Sequence, residues 1–312
     1  MNARQIAALL LLSAVWGASF LFIRIAAPVL GPFPLMAGRV LLAAAALLLY
    51  AALCRTPIVL APYWRRLLVL GLVHSAVPFS LIALAEIHLT ASMAAVLLAA
   101  QPLFAALIGS LWLGEPISAR RMAGLGLGIA GVAVLMGWSP ISFDAASIAS
   151  IAAVLVASIS YAAGSLYSRR KLADAPVMTL ALGQQLASAA WLVIPAAIAL
   201  PRASATPAAL GSLAALALIS TALGYLVFFW LIGQVGAVKT ATVTYVIPLF
   251  GVLWGTLLLD EPLSGGLLAG LGCILASLLL VNQRAPRVAP PAEGPPRGGD
   301  WNRDMTFVTA DS

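Results

Sequence analysis

Charged side chains are scarce in this sequence. Asp, Glu, Lys and Arg make up 9% of its 312 residues, whereas soluble domains carry about 25%. Hydrophobic residues make up 62%, and the mean hydropathy is +1.06. Such a composition cannot supply a water-soluble surface. It therefore excludes a soluble protein and predicts one that crosses a membrane many times.

Cysteine and histidine are also scarce, with two residues of each. Cys54 and Cys273 lie in or beside apolar segments far apart in the sequence, which favours two small hydrophobic residues over a disulfide or metal ligands. The sequence has no His/Cys cluster, and we expect neither a metal nor any other cofactor. It also lacks a GxxxxGK[ST] motif and a soluble domain for nucleotide, which excludes ATP-driven transport.

The basic residues are distributed as in a membrane protein. The net charge of +7 would point to nucleic acid in a soluble chain. Here the Lys and Arg residues lie in short clusters between apolar runs, not along one face. We therefore expect a lipid bilayer around the chain and no nucleic-acid partner.

Ten apolar runs of about twenty residues are bounded by charged residues, Pro or Gly. The first run resembles a signal peptide. It is long enough to span the membrane, however, and its copy recurs at 148–168, so we expect it to be retained. The predicted spans are 5–26, 34–53, 67–88, 92–113, 120–138, 148–168, 176–199, 209–233, 238–259 and 263–282.

One unit is written twice in the chain. Residues 102–131 align without a gap to 248–277, with fifteen of thirty positions identical. Duplicated apolar units are typical of secondary transporters, in which the substrate site lies at the repeat interface. Pairs that face each other in the two copies include Pro102 and Pro248, Glu115 and Glu261, Trp16 and Tyr161, and Arg39 and Gln184.

The charge distribution predicts the orientation. With the N-terminus in the cytoplasm, fourteen of the seventeen Lys and Arg residues lie in cytoplasmic segments and only Arg202 lies in an external loop. The positive-inside rule favours this orientation. Each copy has an odd number of spans, so the second copy must enter from the opposite side. The segment that holds Arg120 and Arg121 in the first copy accordingly carries no basic residue around Gly265 and Gly266, where the inverted copy would face outward.

These observations predict an all-α integral membrane protein in which ten transmembrane helices form two inverted five-helix repeats around a central cavity. The repeats would occupy 1–138 and 148–283. Residues 284–312 are rich in Pro and Gly and poor in apolar residues, so we expect a disordered cytoplasmic tail. The expected location is the inner (plasma) membrane, crossed many times, with both termini cytoplasmic.

An ordered set of residues resembles a known family. It comprises Trp16-Gly17-Ala18-Ser19-Phe20, Arg39 opening span 2, Thr90-Ala91-Ser92, Pro102 in mid-span, and Gly114-Glu115-Pro116 before a glycine-rich span. Over 5–282 the chain resembles the EamA-type branch of the drug/metabolite transporter superfamily. The resemblance implies the inverted-repeat fold and transport, often export, of small polar metabolites or drugs. The second copy departs from it, with Tyr161-Ala162 for Trp-Gly and Gln184 for Arg39.

Arg39 is the first candidate for substrate binding. It lies about five residues into span 2, roughly 8 Å below the outer boundary. A charge at a helix centre costs about 2.5–3.5 kcal/mol, so Arg39 must snorkel, pair or line a wet cavity. A guanidinium can bind a carboxylate through two hydrogen bonds. The hypothesis is an anchor for an anionic substrate; the alternative is a snorkelled or internally paired Arg.

Two residues of span 3 are candidates for proton coupling. Glu86 closes the span near the outer face and could carry a proton or pair with Arg39; alternatively, it is a solvated loop-end group. His74 lies inside the span, where a neutral imidazole can hydrogen-bond substrate or relay a proton. The alternative for His74 is a packed, satisfied histidine.

Four residues of the repeat have predicted structural roles. Glu115 and Glu261 each stand in a Glu-Pro turn, where a carboxylate can cap the N-terminus of the helix that opens close by. Pro102 and Pro248 lie near the bilayer midplane, where proline removes a backbone hydrogen bond and kinks a helix.

Polar side chains near these prolines and on facing spans are candidate midplane substrate contacts, unless they only form hydrogen bonds between helices. With Arg39 included, the candidates are Trp16, Ser19, Arg39, His74, Gln101, Tyr161, Gln184, Thr244 and Tyr245.

The predicted function is a secondary transporter of a small polar, amino-acid-like metabolite or drug, working by alternating access. Export is expected. If transport is active, the expected coupling ion is the proton; since intramembrane acids are few, facilitated diffusion is the alternative. The alternatives are a membrane-embedded enzyme and a channel or scaffold that does not transport. Small-xxx-small faces at Gly124, Gly128, Gly266 and Gly270 also allow a homodimer, although packing within the chain is the expected use.

Overall fold

The computed structural model describes residues 1–113, 119–138, 144–200 and 203–282, and the regular structure within these ranges is helical. Glu115 and the predicted tail at 284–312 lie outside them. The elements are α1 (Ala3–Leu30), α2 (Pro32–Leu53), α3 (Trp64–Gly71), the π-helix π1 (Leu72–Ala76), α4 (Val77–Ala85), α5 (Ala91–Leu98), α6 (Gln101–Leu113), α7 (Ala119–Trp138), α8 (Ala145–Lys171), α9 (Val177–Ala199), α10 (Pro207–Ala215), the π-helix π2 (Leu216–Leu223), α11 (Gly224–Val235), α12 (Ala237–Thr240), α13 (Val243–Leu259) and α14 (Gly265–Asn282).

Within the described ranges, seven helical stretches are long and apolar enough to cross a membrane, which confirms a helical protein with many spans. They are Ala3–Leu30, Pro32–Leu53, Trp64–Ala85, Ala91–Trp112, Ala145–Lys171, Val177–Ala199 and Pro207–Val235. Three shorter apolar helices accompany them, at Met122–Leu135, Val243–Leu259 and Gly265–Val281.

Polar side chains fix where several helices begin. Thr90, Asp144 and Thr206 each accept a hydrogen bond from the backbone N–H three residues later, at the starts of α5, α8 and α10. These bonds satisfy amide groups that the first turn of a helix leaves free. At Asp144, hydrogen bonds from Ser147 hold the pKa of the carboxyl below its ordinary value.

The two π-helices occupy equivalent places in the two halves. The offset from Arg39 to its counterpart Gln184 is 145 residues, since 184 − 39 = 145. Moving π1 by this offset places it at 217–221, inside π2. π-Helical turns are rare and are often found at functional sites. The sequence comparison gave no sign of them.

Both halves also interrupt a helix near the repeated prolines. A two-residue turn at 99–100 separates α5 from α6, which carries Pro102 at its second position. In the second half the turn lies at 241–242, and α13 runs unbroken through Pro248. The helix interruption thus falls beside Pro102, whereas the predicted kink at Pro248 stays a prediction.

Glycines bring α7 and α14 together. A Cβ at Gly124 would lie 3.0 Å from the Ser277 carbonyl oxygen, and a Cβ at Gly270 would lie 2.9 Å from that of Gly131. Small residues let helix backbones approach in this way. These faces are used within one chain, and a homodimer stays a prediction. Elsewhere α1 packs against α13, and α2 packs against α9.

Candidate functional site

Six side chains from both halves of the chain form a hydrogen-bonded and aromatic group between α2, π1, α8, α9, π2 and α11. We call this group the polar cluster. Its members are Arg39, His74, Tyr161, Gln184, Thr221 and Tyr225. The cluster gathers four of the residues that the sequence proposed for substrate binding.

Arg39 is buried, with 7% of its surface exposed. Its Nε donates a hydrogen bond of 2.9 Å to Thr221 Oγ1, and its guanidinium carbon lies 3.8 Å from the centre of the Phe79 ring. Among the residues that the structure describes, no carboxylate comes within the 4.0 Å of an ion pair with it. The guanidinium therefore keeps donors that a bound anion can use.

Gln184 contacts three polar side chains in and beside the polar cluster. Its side-chain nitrogen lies 2.6 Å from Ser75 Oγ, 2.8 Å from Tyr225 Oη and 3.2 Å from His74 Nδ1. An amide nitrogen has two N–H donors, so three partners share two hydrogens.

His74 connects π1 to α8. Its Nε2 lies 3.1 Å from Ser165 Oγ, and its ring meets the edge of Tyr161 at a centroid distance of 5.2 Å. Gly164 permits this approach, since a Cβ there would lie 2.6 Å from His74 Cβ. If the Gln184 amide donates to Nδ1, the ring proton resides on Nε2, and His74 then donates to Ser165 and does not act as a general base toward it.

The polar cluster lies where the two halves meet. Arg39 of the first half binds Thr221 in π2 of the second half. Its counterpart Gln184, in the second half, binds Ser75 in π1 of the first half. The two equivalent positions of the repeat thus contact the π-helix of the opposite half, and the unlike residues at these positions make the cluster chemically asymmetric.

A small cavity of about 40 Å³ lies beside the helix interruption at 99–100. Gln101 and Thr244, two predicted substrate contacts, line it together with Pro102. Phe20 and Ile247 belong both to this lining and to the apolar cluster that also contains Phe79. Apolar side chains therefore connect the cavity to the polar cluster.

Glu261 holds the start of α5 from the other half of the chain. Its carboxylate accepts hydrogen bonds from Ala91 N at 2.7 Å, Ser92 N at 2.9 Å and Ser92 Oγ at 2.5 Å. Gly255 leaves the space for this, since a Cβ there would lie 2.4 Å from Glu261 Oε2. The predicted partner was the helix that follows Glu261. That helix, α14, is capped instead by Ser264, whose Oγ accepts from Leu267 N at 3.1 Å.

Glu86 lies at the same end of the bundle. It is fully buried, and within the part of the chain that the structure describes neither oxygen of its carboxylate has a hydrogen-bond partner. Arg24 donates to the backbone carbonyls of Glu86 and Ile87, not to the carboxylate. Glu86 is therefore not the solvated loop-end group of the alternative reading, and an unpaired buried carboxylate calls for a proton or a cation.

Comparison with known proteins decides the family. The model of the EamA-like transporter family matches the chain twice, at residues 4–137 and 148–283. The chain belongs to the EamA-like transporter family. The resemblance drawn from the sequence is confirmed, and the family is one of membrane transporters, not enzymes.

Two further likenesses agree with the EamA-like assignment. An uncharacterized transporter of Bacillus subtilis (strain 168), YvbV, is 31% identical over 165 residues. That alignment spans about half of each protein, 52% of this chain and 53% of the relative. A solved crystal structure superposes with a TM-score of 0.63 at 19% identity, covering 90% of this chain and 97% of that one. At this identity the likeness shows the fold alone.

Three predicted contacts of this EamA-like chain lie apart from the polar cluster. Trp16 packs against Gly224 and stacks at an angle on Phe228. Ser19 is buried on α1. Tyr245 packs with the apolar residues around Leu278, away from the lining of the small cavity.

Sequence reasoning missed four residues that complete the EamA-like site. They are Ser75, Phe79, Thr221 and Tyr225. Each is a common residue in an apolar run. At the offset of 145 residues, Ser75 faces Ser220, whereas Phe79, Thr221 and Tyr225 face unlike residues. The sequence offered only an indirect indication. All four residues lie in the predicted span 67–88, which carries His74, or in its repeat counterpart, the span 209–233.

Proposed function

We propose that this chain is a secondary transporter that exports a small metabolite or drug with an anionic group, such as an amino-acid-like carboxylate, across the plasma membrane. The observation that carries the proposal is Arg39, buried at the contact of the two halves with no described carboxylate in ion-pair distance. A site for an anion between two repeats is what alternating access requires.

The proposed fold has ten spans in two inverted repeats, at 1–138 and 148–283, with both termini in the cytoplasm and 284–312 as a cytoplasmic tail. The three shorter apolar helices raise the seven long ones to ten. Five spans per repeat require inversion, and the placement of Lys and Arg favours this orientation. Contacts such as Glu261 with Ala91 agree with it, because both residues then lie at the external end.

In the proposed binding mode, the substrate carboxylate accepts hydrogen bonds from the guanidinium N–H groups of Arg39 that its contacts with Phe79 and Thr221 leave unused. Gln184, His74 and Tyr225 would bind its polar groups from the other half. Gln101 and Thr244 would join when the small cavity widens. Trp16, Ser19, Tyr161 and Tyr245 remain candidates on the surrounding helices.

Alternating access would open and close the end of the bundle at Glu261. The three hydrogen bonds from α5 to Glu261 join the two halves at that end. In the proposed orientation these bonds would hold the external end of the bundle closed. Export would require these bonds to break after substrate has bound from the cytoplasm.

We also propose that Glu86 carries the coupling proton. Its carboxylate is buried without a hydrogen-bond partner, and the charges of Glu261 and Arg24 act on it. Exchange of a proton at this end would alter the charge beside the Glu261 contact in each cycle. Glu86→Gln should abolish the stimulation of flux by a pH gradient while leaving exchange at equal pH; persistent stimulation would remove Glu86 from the proposal.

Flux into proteoliposomes tests the function. The purified protein is reconstituted and challenged with a panel of anionic, neutral and cationic metabolites. We expect saturable uptake of carboxylate-bearing compounds that is accelerated by the same compound on the other side. Flux that does not saturate would indicate a channel, and no flux of any compound would indicate a scaffold or an enzyme.

A hydrolytic enzyme is the second candidate, because His74 lies 3.1 Å from Ser165. The contact at His74 Nδ1 argues against an enzyme, because the partner there is the amide nitrogen of Gln184 and not a carboxylate. Hydrolysis of ester or amide probes that Ser165→Ala removes would favour the enzyme over the carrier.

A further inference from the structure

A groove on the lipid-facing side of the bundle lies outside the polar cluster and the small cavity. It runs between α1, α2 and α11 and has a volume of about 370 Å³. Its lining is mostly apolar, with a basic and two aromatic residues among it. The residues that line it are Arg4, Ala8, Leu11, Tyr50, Leu226, Val227 and Trp230.

Position along the helices places the groove at one membrane boundary. Arg4 is the second residue of α1, and Tyr50 is the fourth-last residue of α2. Trp230 lies in the second half of α11. Trp and Tyr are typical of the level of lipid headgroups. The apolar residues extend from there toward the hydrocarbon core. The groove therefore has a polar end and an apolar end, as a phospholipid does.

Arg4 is held at the polar end of the groove by an aromatic ring. Its guanidinium lies 5.3 Å from the centre of the Trp230 ring. Within the described part of the chain, no carboxylate lies at ion-pair distance from Arg4. The ring fixes the guanidinium through its face, and the N–H donors at the edge stay available. A phosphate group fits such donors.

In a membrane, the apolar end of the groove must be occupied by apolar atoms. Leu11 is 51% exposed, and water is not available at this depth to cover it. A lipid acyl chain is the component of the bilayer that fills such a space. We propose that the groove binds one anionic phospholipid of the leaflet at the N-terminus of α1, with its phosphate at Arg4 and an acyl chain along Leu11 and Val227. The proposal does not depend on transport.

The test counts bound lipid on the full-length protein in detergent by native mass spectrometry. Phosphatidylglycerol is titrated against phosphatidylcholine with the same acyl chains. We expect one tightly retained phosphatidylglycerol and a clear preference over phosphatidylcholine. Arg4→Ala should weaken that binding about fivefold, as one basic side chain does at a membrane surface.

Arg65→Ala is the matched control. Arg65 also lies over a tryptophan, 5.1 Å from the ring centre of Trp64, but does not line the groove. It should leave the tight binding unchanged. Ala8→Phe fills the groove and keeps Arg4, and it should remove the tight lipid while the helical circular dichroism is retained.

Three results would overturn the proposal. Equal retention of the two lipids by the unchanged protein would show that the groove does not select charge. An equal loss for Arg4→Ala and Arg65→Ala would show only a general attraction of basic residues. Full phosphatidylglycerol binding by folded Ala8→Phe would place the lipid elsewhere. Each of these three results can be read whether or not the protein transports.

Discussion

At the scale of single residues, the energetics of Arg39 explain how it can stay buried with no counter-ion among the described residues. A charge within a span costs about 2.5–3.5 kcal/mol. A desolvated cation–π contact, here with Phe79, contributes up to about 2 kcal/mol. A hydrogen bond to a charged group, here with Thr221, contributes about 1.5–3 kcal/mol. These two contacts offset the cost, so folding does not require a carboxylate and the guanidinium remains available for substrate.

Thr221→Val tests this balance. The Thr221 hydroxyl donates to the Leu216 carbonyl at 2.8 Å, which turns its lone pair toward Arg39. Valine keeps the shape and removes both bonds. We expect about 1–2 kcal/mol less stability and weaker binding of anionic substrate, both measured by thermal unfolding with and without ligand. Thr221→Ser keeps the hydroxyl and should behave like the unchanged protein; equal loss in both variants would contradict the assigned role.

Arg39 and Gln184 could be predicted because a charge and an amide in apolar runs are conspicuous and face each other in the repeat. Thr221 could not, for a physical reason. A threonine in a helix normally satisfies its hydroxyl on a carbonyl of the preceding turn, and Thr221 does so with Leu216. Its second bond, to Arg39, depends on tertiary packing that the sequence does not display.

At the scale of helices, the predicted spans correspond to observed helices, whereas their irregularities do not follow from the sequence. The π-helices at Leu72–Ala76 and Leu216–Leu223 have the composition of any apolar run. Both pack against helices of the opposite half, π1 against α8 and α9 and π2 against α1 and α2. The same holds for Glu261. Its role as a helix cap was predicted from the sequence, but the helix that it caps was not, because its partner Ala91 lies 170 residues away in the chain.

Glu261→Gln should loosen the start of α5. The amide keeps one acceptor oxygen, but its N–H₂ group faces a donor at Ser92, so at least one of the three bonds is lost. We expect faster hydrogen–deuterium exchange of the backbone amides at 91–95. The start of α8, capped by Asp144, should exchange as before. Unchanged exchange at α5 would show that Glu261 does not hold the two halves together.

At the scale of the whole molecule, duplication explains why the polar cluster is asymmetric. Two copies of one unit bring equivalent positions to a shared interface, where Arg39 and Gln184 each contact the π-helix of the other copy. Gln184 is uncharged at the position that corresponds to Arg39, so this pair of positions supplies one cationic group. One anionic group per substrate is therefore the expected stoichiometry.

Labelling of matched turns tests the inversion. Ser118 and Ser264 occupy the same position in the two copies. In a chain with Cys54 and Cys273 replaced by alanine, cysteine is introduced at one position or the other. A maleimide that cannot cross membranes should label Ser264→Cys on intact cells and Ser118→Cys only after permeabilisation. Labelling of both from the same side would contradict two inverted repeats.

The central claim is that Arg39 selects an anionic substrate at the contact of the two halves. The most direct measurement compares transport of a carboxylate substrate with that of its neutral amide analogue, in proteoliposomes containing the unchanged protein or Arg39→Gln. The account predicts a preference for the carboxylate of about tenfold or more, which is the worth of one charge-assisted hydrogen bond, and its loss in Arg39→Gln while amide flux persists. An unaltered preference in that variant would contradict the account.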